Sequence, residues 1–144
     1  MMKIQLTRDV KPPSRGTPLS AGLDFYVPND FEPVILQKGE SALIPSGVKA
    51  HVPSGRALVA FNKSGVATKL GLVVGACVVD EDYEGEIHLH VINATDGDVT
   101  VKPGMKLVQF LLLQVDYVTP QVVDFLYPRN TERGEGGFGS TGTH

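Results

Sequence analysis

Apolar and polar residues alternate with a period of two along most of the chain, and stretches with a 3.6-residue period are nearly absent. Val48, Ala50 and Val52 alternate with Lys49 and His51; Ile87, Leu89 and Val91 alternate with His88 and His90; Val99 and Val101 flank Thr100. Short apolar runs at Val34–Leu36, Ala57–Phe61 and Val108–Leu113 read as more deeply buried strands. Chain breakers fall between them at Pro28-Asn29-Asp30, Lys38-Gly39, Pro45-Ser46-Gly47, Pro53-Ser54-Gly55, Asp96-Gly97 and Pro103-Gly104. Many short strands at this spacing predict an all-β sandwich or barrel. One helical turn is expected at Val66–Lys69, after Ser64-Gly65, and the proline-rich stretch Lys11–Pro18 reads as a loop or arm. No repeat and no second domain are evident.

Composition narrows the function classes. A chain of 144 residues suits one domain with a real core. Thirteen basic against sixteen acidic side chains leave a formal charge of −3, the wrong sign for a protein that coats nucleic acid. No direct nucleic-acid binding is therefore expected. A single cysteine excludes an internal disulfide framework and a cysteine-cluster metal site. Met1–Val10 has no apolar signal region, and the longest apolar stretch, Leu70–Val79, is half of the roughly 20 residues a spanning helix needs. The expectation is a protein with no secretion signal and no membrane contact, cytoplasmic or otherwise intracellular.

Two segments carry candidate chemistry. Val78–Glu86 runs from an apolar strand through an acidic turn into the next strand and reads as a hairpin. Asp80, directly after buried-looking valines, places a carboxylate at a strand end, where it can orient a water for attack on phosphorus or carbonyl carbon. Glu81, Asp82, Glu84 and Glu86 read as ordinary solvated turn acids, while Tyr83 either packs on the hairpin or stacks on a ligand. The second segment, PRNTERGEGGFGSTGTH from Pro128, has Phe138 as its only large apolar side chain and cannot offset its own ordering entropy. Gly134–Gly139 is a literal G-x-G-x-x-G, yet no following helix is expected, and Ser140 stands where a P-loop needs lysine. Glycine amides with Arg133, Ser140 and Thr141 still suit a phosphate nest. An acidic tip beside a phosphate chain implies a divalent cation, with Mg²⁺ the default for oxygen ligands.

Other candidates read more plainly. His88 and His90 share a strand face but lack a third metal ligand. Cys77, inside an apolar run, reads as an inert buried thiol. Ser64 is either a helix N-cap or a group presented to an anion.

Five motifs, in order, span Ala21–Gly142: AGLDF at Ala21–Phe25, NKSGVA at Asn62–Ala67, GACVVDEDYEGEI at Gly75–Ile87, PGMKLVQF at Pro103–Phe110 and RGEGGFGSTG at Arg133–Gly142. Together they resemble the trimeric deoxyuridine triphosphatase (dUTPase) family. The resemblance implies a distorted jelly-roll-like β-barrel, residues 1–127, assembled as a homotrimer whose three shared active sites lie at subunit boundaries and take motifs from different subunits, with a mobile arm, residues 128–144, crossing to a neighbour's site. It implies Mg²⁺-dependent hydrolysis of dUTP to dUMP and pyrophosphate by water attack at the α-phosphorus, which limits uracil in DNA and supplies dUMP for dTTP synthesis.

By the same resemblance, Asp80 orients and deprotonates the water and bonds the sugar 3′-hydroxyl, while Ser64 and Gln109 contact phosphate and help to place that water. Tyr83 packs beneath the deoxyribose. Main-chain groups around Ala76, Cys77 and Val78 bond the uracil edge. Lys63, Ser64 and Gly65 belong to the phosphate-binding second motif. Phe138 stacks on uracil; Arg133, Gly139, Ser140 and Thr141 lie in the arm that holds the γ-phosphate. Asp24 acts on the metal through a bound water.

Three positions depart from the family pattern. Lys63 replaces arginine, so a forked contact becomes a point charge. Cys77 replaces a glycine in the uracil turn and adds a Cβ where the backbone approaches the base. Leu23 replaces an aromatic. Among other readings, dCTP deaminase shares the fold, but its glutamate-bearing hairpin motif is not found here. A nucleotide-gated binding module remains open as an added role, while a purely structural trimer leaves the glycine-rich tail unexplained.

Overall fold

The computed structural model describes residues 1–144 as eleven strands and one helical turn. The strands are β1 (Ile4–Leu6), β2 (Ser14–Arg15), β3 (Leu23–Tyr26), β4 (Val34–Leu36), β5 (Ser41–Ala50), β6 (Arg56–Asn62), β7 (Leu72–Val74), β8 (Val78–Val79), β9 (Ile87–Asn93), β10 (Val99–Val101) and β11 (Lys106–Gln114). They form a four-stranded sheet ordered β1-β5-β9-β7, a five-stranded sheet ordered β2-β3-β11-β6-β8 and a small β10-β4 pair. All pairings are antiparallel. The helical turn is a π-helix, Val66–Leu70, ended by Gly71 in the left-handed conformation. No helix is long and apolar enough to cross a membrane.

Period-two strands feed one core. Ile87, Leu89 and Val91 of β9 point inward, and Phe25, Leu58, Val108 and Phe110 meet them from the five-stranded sheet. The Phe25 and Phe110 rings lie 4.5 Å apart, within the range of favourable aromatic pairs. Leu36 and Val101 of the small pair close the same cluster. Asn93, almost fully buried at the end of β9, donates to the carbonyls of Leu36 and Gly97, both at 2.8 Å, and accepts from the Thr95 amide and hydroxyl. Its polar groups are satisfied, so its burial costs little.

Four sequence expectations need correction. Pro45-Ser46-Gly47 does not end a strand; it is a bulge inside β5, where the register with β9 shifts between Pro45 and Val48. Gly47 has φ +74°, and a Cβ there would sit 2.9 Å from Val10, so glycine is required. The runs Val34–Leu36 and Val108–Leu113 are only half-buried: Ile35 and Leu112 face outward. The acidic segment is not a hairpin, because β8 pairs with β6 while β9 pairs with β5 and β7; it is a crossing between the two large sheets. Lys11–Pro18 is not wholly loop, since Ser14 and Arg15 pair with β3.

Glu86, at the end of the crossing, ties it to the bulge. Its carboxylate accepts from Arg8 Nε at 2.8 Å, from Thr7 at 3.1 Å and from the Gly47 amide at 2.9 Å. The Arg8 hydrogen bond, helped by Thr7 and Gly47, holds the Glu86 carboxyl below the usual carboxylate range. A lowered folded-state value means stability present above the ordinary range near pH 4.3 and lost as pH falls through Glu86's lower value. Glu86→Gln should therefore cost about 1 kcal/mol at neutral pH, modest because solvent screens Arg8, and should flatten the acid limb of a melting-temperature titration. An unchanged acid limb would remove Glu86 from that role.

Candidate functional site

Three of the five motifs meet through β11. Its Gln109 lies opposite Asp24 of β3 on one side and Phe61 of β6 on the other. The Gln109 side chain donates to the Asn62 carbonyl at 2.8 Å, and the Asn62 side chain accepts the Val74 amide at 2.8 Å. The end of β6 is thereby held from two sides where it turns into Lys63-Ser64-Gly65. Lys63 Nζ bonds the buried Asp24 carboxylate, and Lys106 Nζ lies 3.9 Å from its other oxygen. Two lysines thus face one carboxylate and leave a net positive corner.

Ser64 does not cap the helix with its side chain; it lies within the turn, and its carbonyl accepts from Thr68 Oγ1 at 2.7 Å. Ser64 and Gly65 are both exposed.

The third motif builds a separate wall. Its residues Ala76, Cys77, Val78, Asp80 and Tyr83, with Leu43, Ile87 and Phe110, line a mostly apolar cavity of about 180 Å³. Tyr83 is fixed twice: its amide donates to the Asp80 carbonyl at 3.2 Å, and its hydroxyl to the Glu86 carbonyl at 2.8 Å. Behind Asp80 a second cavity, about 500 Å³, is lined by Arg56, Val78, Asp80, Glu81, Asp82 and Tyr117 among others. Asp80 therefore lines two cavities, the mostly apolar one and one that mixes apolar side chains with the charged groups of Arg56, Glu81 and Asp82.

Strand register exposes a recognition edge there. The Ala60 amide donates to the Cys77 carbonyl at 2.8 Å, and the ladder continues as Val59 opposite Val78 and Leu58 opposite Val79. Bonded and non-bonded pairs alternate in an antiparallel ladder, so Val78 points its N–H and C=O away from β6. Because β8 is the edge strand, those groups face open space. One donor beside one acceptor matches the imide edge of a pyrimidine. Val78 is 60% exposed, against the sequence expectation of a buried valine, and Cys77 is half-buried rather than enclosed. The Ala76 amide is already spent, donating to His90 Nδ1 at 2.8 Å.

Glu81 is held away from Asp80's work. It accepts from the Tyr117 hydroxyl at 2.6 Å and the Gly55 amide at 3.2 Å. The Tyr117 hydrogen bond, with Ser54 and Gly55, lowers the Glu81 carboxyl below its usual range and raises the Tyr117 phenol.

The arm residues join neither cluster. Arg133 Nε donates to the Gly136 carbonyl at 2.7 Å, and the arm amides of Gly134, Gly136, Ser140 and Gly142 all donate to acceptors within residues 131–139. Phe138 is fully exposed with φ +49°, and Gly139 follows at φ +95°. The arm is a chain of tight turns presenting a free aromatic ring.

No three His, Cys, Asp or Glu side chains gather closely enough to hold a metal ion. His88 Nδ1 meets the Glu86 carbonyl at 3.0 Å and His90 Nδ1 the Ala76 amide, so His88 serves the connection after β8 and His90 the one before it.

The sequence reading missed Asn62, Lys106 and His90 as organisers. Asn62 and Lys106 stand inside quoted motifs, but their partners are far along the chain. Nothing local in the sequence marks His90, because the turn it supports lies on another strand.

Residues 8–142 match the family model described as dUTPase. The deoxyuridine 5′-triphosphate nucleotidohydrolase of Chlamydia pneumoniae is 40% identical over 132 residues, covering 90% of this chain and 90% of that one. A Staphylococcus bacteriophage 80alpha dUTPase variant with dUpNHpp superposes with a TM-score of 0.86 at 22% identity, covering 99% of this chain and 98% of the other. A dUTPase variant from phage phi11 of S. aureus, described with a structural Mg(II) ion, gives 0.77 at 20% identity, covering 87% and 97%. At these identities the two structures establish the jelly-roll-like fold.

Proposed function

This chain belongs to the dUTPase family, and from that premise we propose that it hydrolyses dUTP to dUMP and pyrophosphate by water attack on the α-phosphorus. The observation that carries the reading is Asp80 beside a pocket lined by Tyr83 and the free edge of β8. In this reading the Val78 N–H and C=O pair with the uracil imide edge. Cytosine presents the opposite hydrogen-bonding pattern and leaves both groups unpaired, which is a costly mismatch. Tyr83, fixed against the Glu86 carbonyl, lies beneath the deoxyribose and leaves no room for a 2′-hydroxyl.

The reaction asks for positioning and charge more than covalent chemistry. Asp80 orients the attacking water and takes its proton; a carboxylate is a weak base, so orientation counts as much as proton transfer. Gln109 and the Lys63–Ser64–Gly65 corner, which lie apart from Asp80 within one chain, reach the site from a neighbouring chain in this reading; Gln109 helps to place that water, and the corner receives phosphate charge. Asp24 keeps Lys63 and Lys106 in place.

The donor set does not suit an ion held by the protein alone, since Asp24 is taken by lysines and no ligand cluster forms. Asp24 would act on a triphosphate-bound Mg²⁺ only through a water, and the ion would supply neutralisation of phosphate charge. The chain's own steps do not run through it.

The apolar side chains that the single chain leaves uncovered support a trimeric assembly. Ile35, Leu43, Phe61 and Leu112 are exposed on the sheets, and Tyr117, Val118, Val122, Phe125, Leu126 and Tyr127 are exposed after them. Apolar area on this scale marks contact surface. A homotrimer of the β domain, residues 1–127, with arms from residue 128 onward completing neighbouring sites, accounts for both the apolar faces and the detached fifth motif. Within the cell, such an enzyme limits uracil in DNA and supplies dUMP for dTTP synthesis.

The test is pyrophosphate release with Mg²⁺ from dUTP beside dCTP, dTTP, UTP and dATP. Release from dUTP alone is expected. Release from all five would show that the Cys77 turn reads no base, and release from none would overturn the reading.

A further inference from the structure

The base-reading edge depends on how the chain crosses from one sheet to the other. It leaves β7 at Val74, passes Gly75, Ala76 and Cys77, and enters β8 at Val78. Three hydrogen bonds hold that crossing, and two of them end on one residue. The Gly75 amide donates to the His90 carbonyl at 3.0 Å, the Ala76 amide donates to His90 Nδ1 at 2.8 Å, and the Cys77 carbonyl receives the Ala60 amide at 2.8 Å. The ring also sets the height of the turn: a Cβ on Gly75 would run into the imidazole at Nδ1 and Cε1, so the glycine backbone lies flat on it.

A two-point hold of this kind is more than packing. An acceptor at Nδ1 places the ring proton of the neutral imidazole on Nε2, and only that tautomer bonds Ala76. His88, two residues earlier on the same strand face, lines the apolar pocket but bonds the Glu86 carbonyl and makes no hydrogen bond to the turn. His90 is half-buried and lines neither cavity beside Asp80. It therefore touches no reacting group. Its influence passes through the backbone, one residue before Cys77 and two before Val78.

We propose that His90 is a positioning residue for base selection, its Nδ1 fixing the Ala76 amide so that the Val78 N–H and C=O are presented at a set spacing. This inference rests on the dUTPase reading and assigns the base-selecting edge of that same site. Asp80 is insulated from it, because Val79 is anchored in the ladder opposite Leu58, on the far side of Val78 from the turn. Loss of the Nδ1 acceptor should loosen recognition of the base and leave the chemical step alone.

The experiment compares wild type with His90→Ala and His90→Asn in steady-state hydrolysis of dUTP and dCTP. Asparagine can bring its Oδ1 to the place of Nδ1 and accept the same amide. His90→Ala should raise KM for dUTP about tenfold with kcat within about twofold, and narrow the preference for dUTP over dCTP by a similar factor. His90→Asn should restore most of both. If His90→Ala does not fold, His90→Val, a strand-forming residue without an acceptor, carries the same expectation. In wild type, the ¹⁵N signals of the His90 ring should be those of the Nε2–H tautomer.

Unchanged KM and selectivity in the alanine or valine variant would overturn the inference while the dUTPase reading stands. Equal losses of kcat in alanine and asparagine variants, tracking lost melting temperature, would make His90 merely structural and would also overturn it. No dUTP turnover by wild type would overturn the proposed function, and this inference with it.

Discussion

Asp80→Asn should reduce pyrophosphate release from dUTP by about 10³-fold while nucleotide binding stays within a few-fold of wild type. The backbone here does not depend on the carboxylate. Val79 is locked opposite Leu58, and the Asp80 carbonyl holds the Tyr83 amide, so asparagine inherits the same position and nearly the same shape. What it loses is a full negative charge and the ability to take a proton from water. Removing a negative charge beside a triphosphate also works against any loss of affinity.

The adjacent Glu81 offers no substitute. Glu81 is committed to Tyr117 and Gly55, and those bonds aim its carboxylate away from the apolar pocket that Asp80 lines. Retained turnover in the asparagine variant would remove Asp80 from the mechanism. Turnover and binding lost together would make Asp80 a binding residue. Equilibrium binding of dUTP to the variant, measured beside its rate, separates these cases.

Alternation made most strands legible. Ile87, Leu89 and Val91 face one core, as their spacing requires. Continuous apolar runs were less informative, because a run apolar on both faces suits a deeply buried strand and a strand with an outer face for another subunit equally well. Ile35 and Leu112 are exposed for that reason of pattern, not of composition. Pro45-Ser46-Gly47 carries every local mark of a turn, yet pairing with β9 resumes beyond it, and only tertiary contact with Val10 and Glu86 makes it a bulge.

The site was legible as motifs but not as an arrangement. Asp80 and Tyr83 stand close in sequence and share one pocket. The Asp24–Lys63 pair and the Gln109–Asn62 bond join residues dozens of positions apart, and such pairings come only from sheet order. His90 is the clearest loss: a histidine on a strand carries no local sign that its ring supports a turn leading into another sheet.

A chain ending at Pro128 should fold normally and lose activity by about 10²-fold or more, since in the proposed reading the missing residues supply positioning groups. Little stability is at stake. The arm's hydrogen bonds stay within it, and Phe138 buries nothing, so the melting temperature should move by no more than a few degrees. A phenylalanine held at positive φ is a strained arrangement for an aromatic residue, costing on the order of 1 kcal/mol. Stacking on a nucleobase, about 1–3 kcal/mol, is large enough to offset it when nucleotide is present.

Mixing variants then decides whose site the arm completes. Truncated chains have Asp80 but no arm; full-length Asp80→Asn chains have the arm but no base. If each arm serves a neighbour, mixed trimers formed by joint refolding regain activity, because some sites combine a truncated chain's Asp80 with the other chain's Phe138 and Arg133. If each arm folds back on its own chain, every site lacks one component and the mixture stays as inactive as its parts. Normal rates from the truncated chain alone would remove the arm from catalysis altogether.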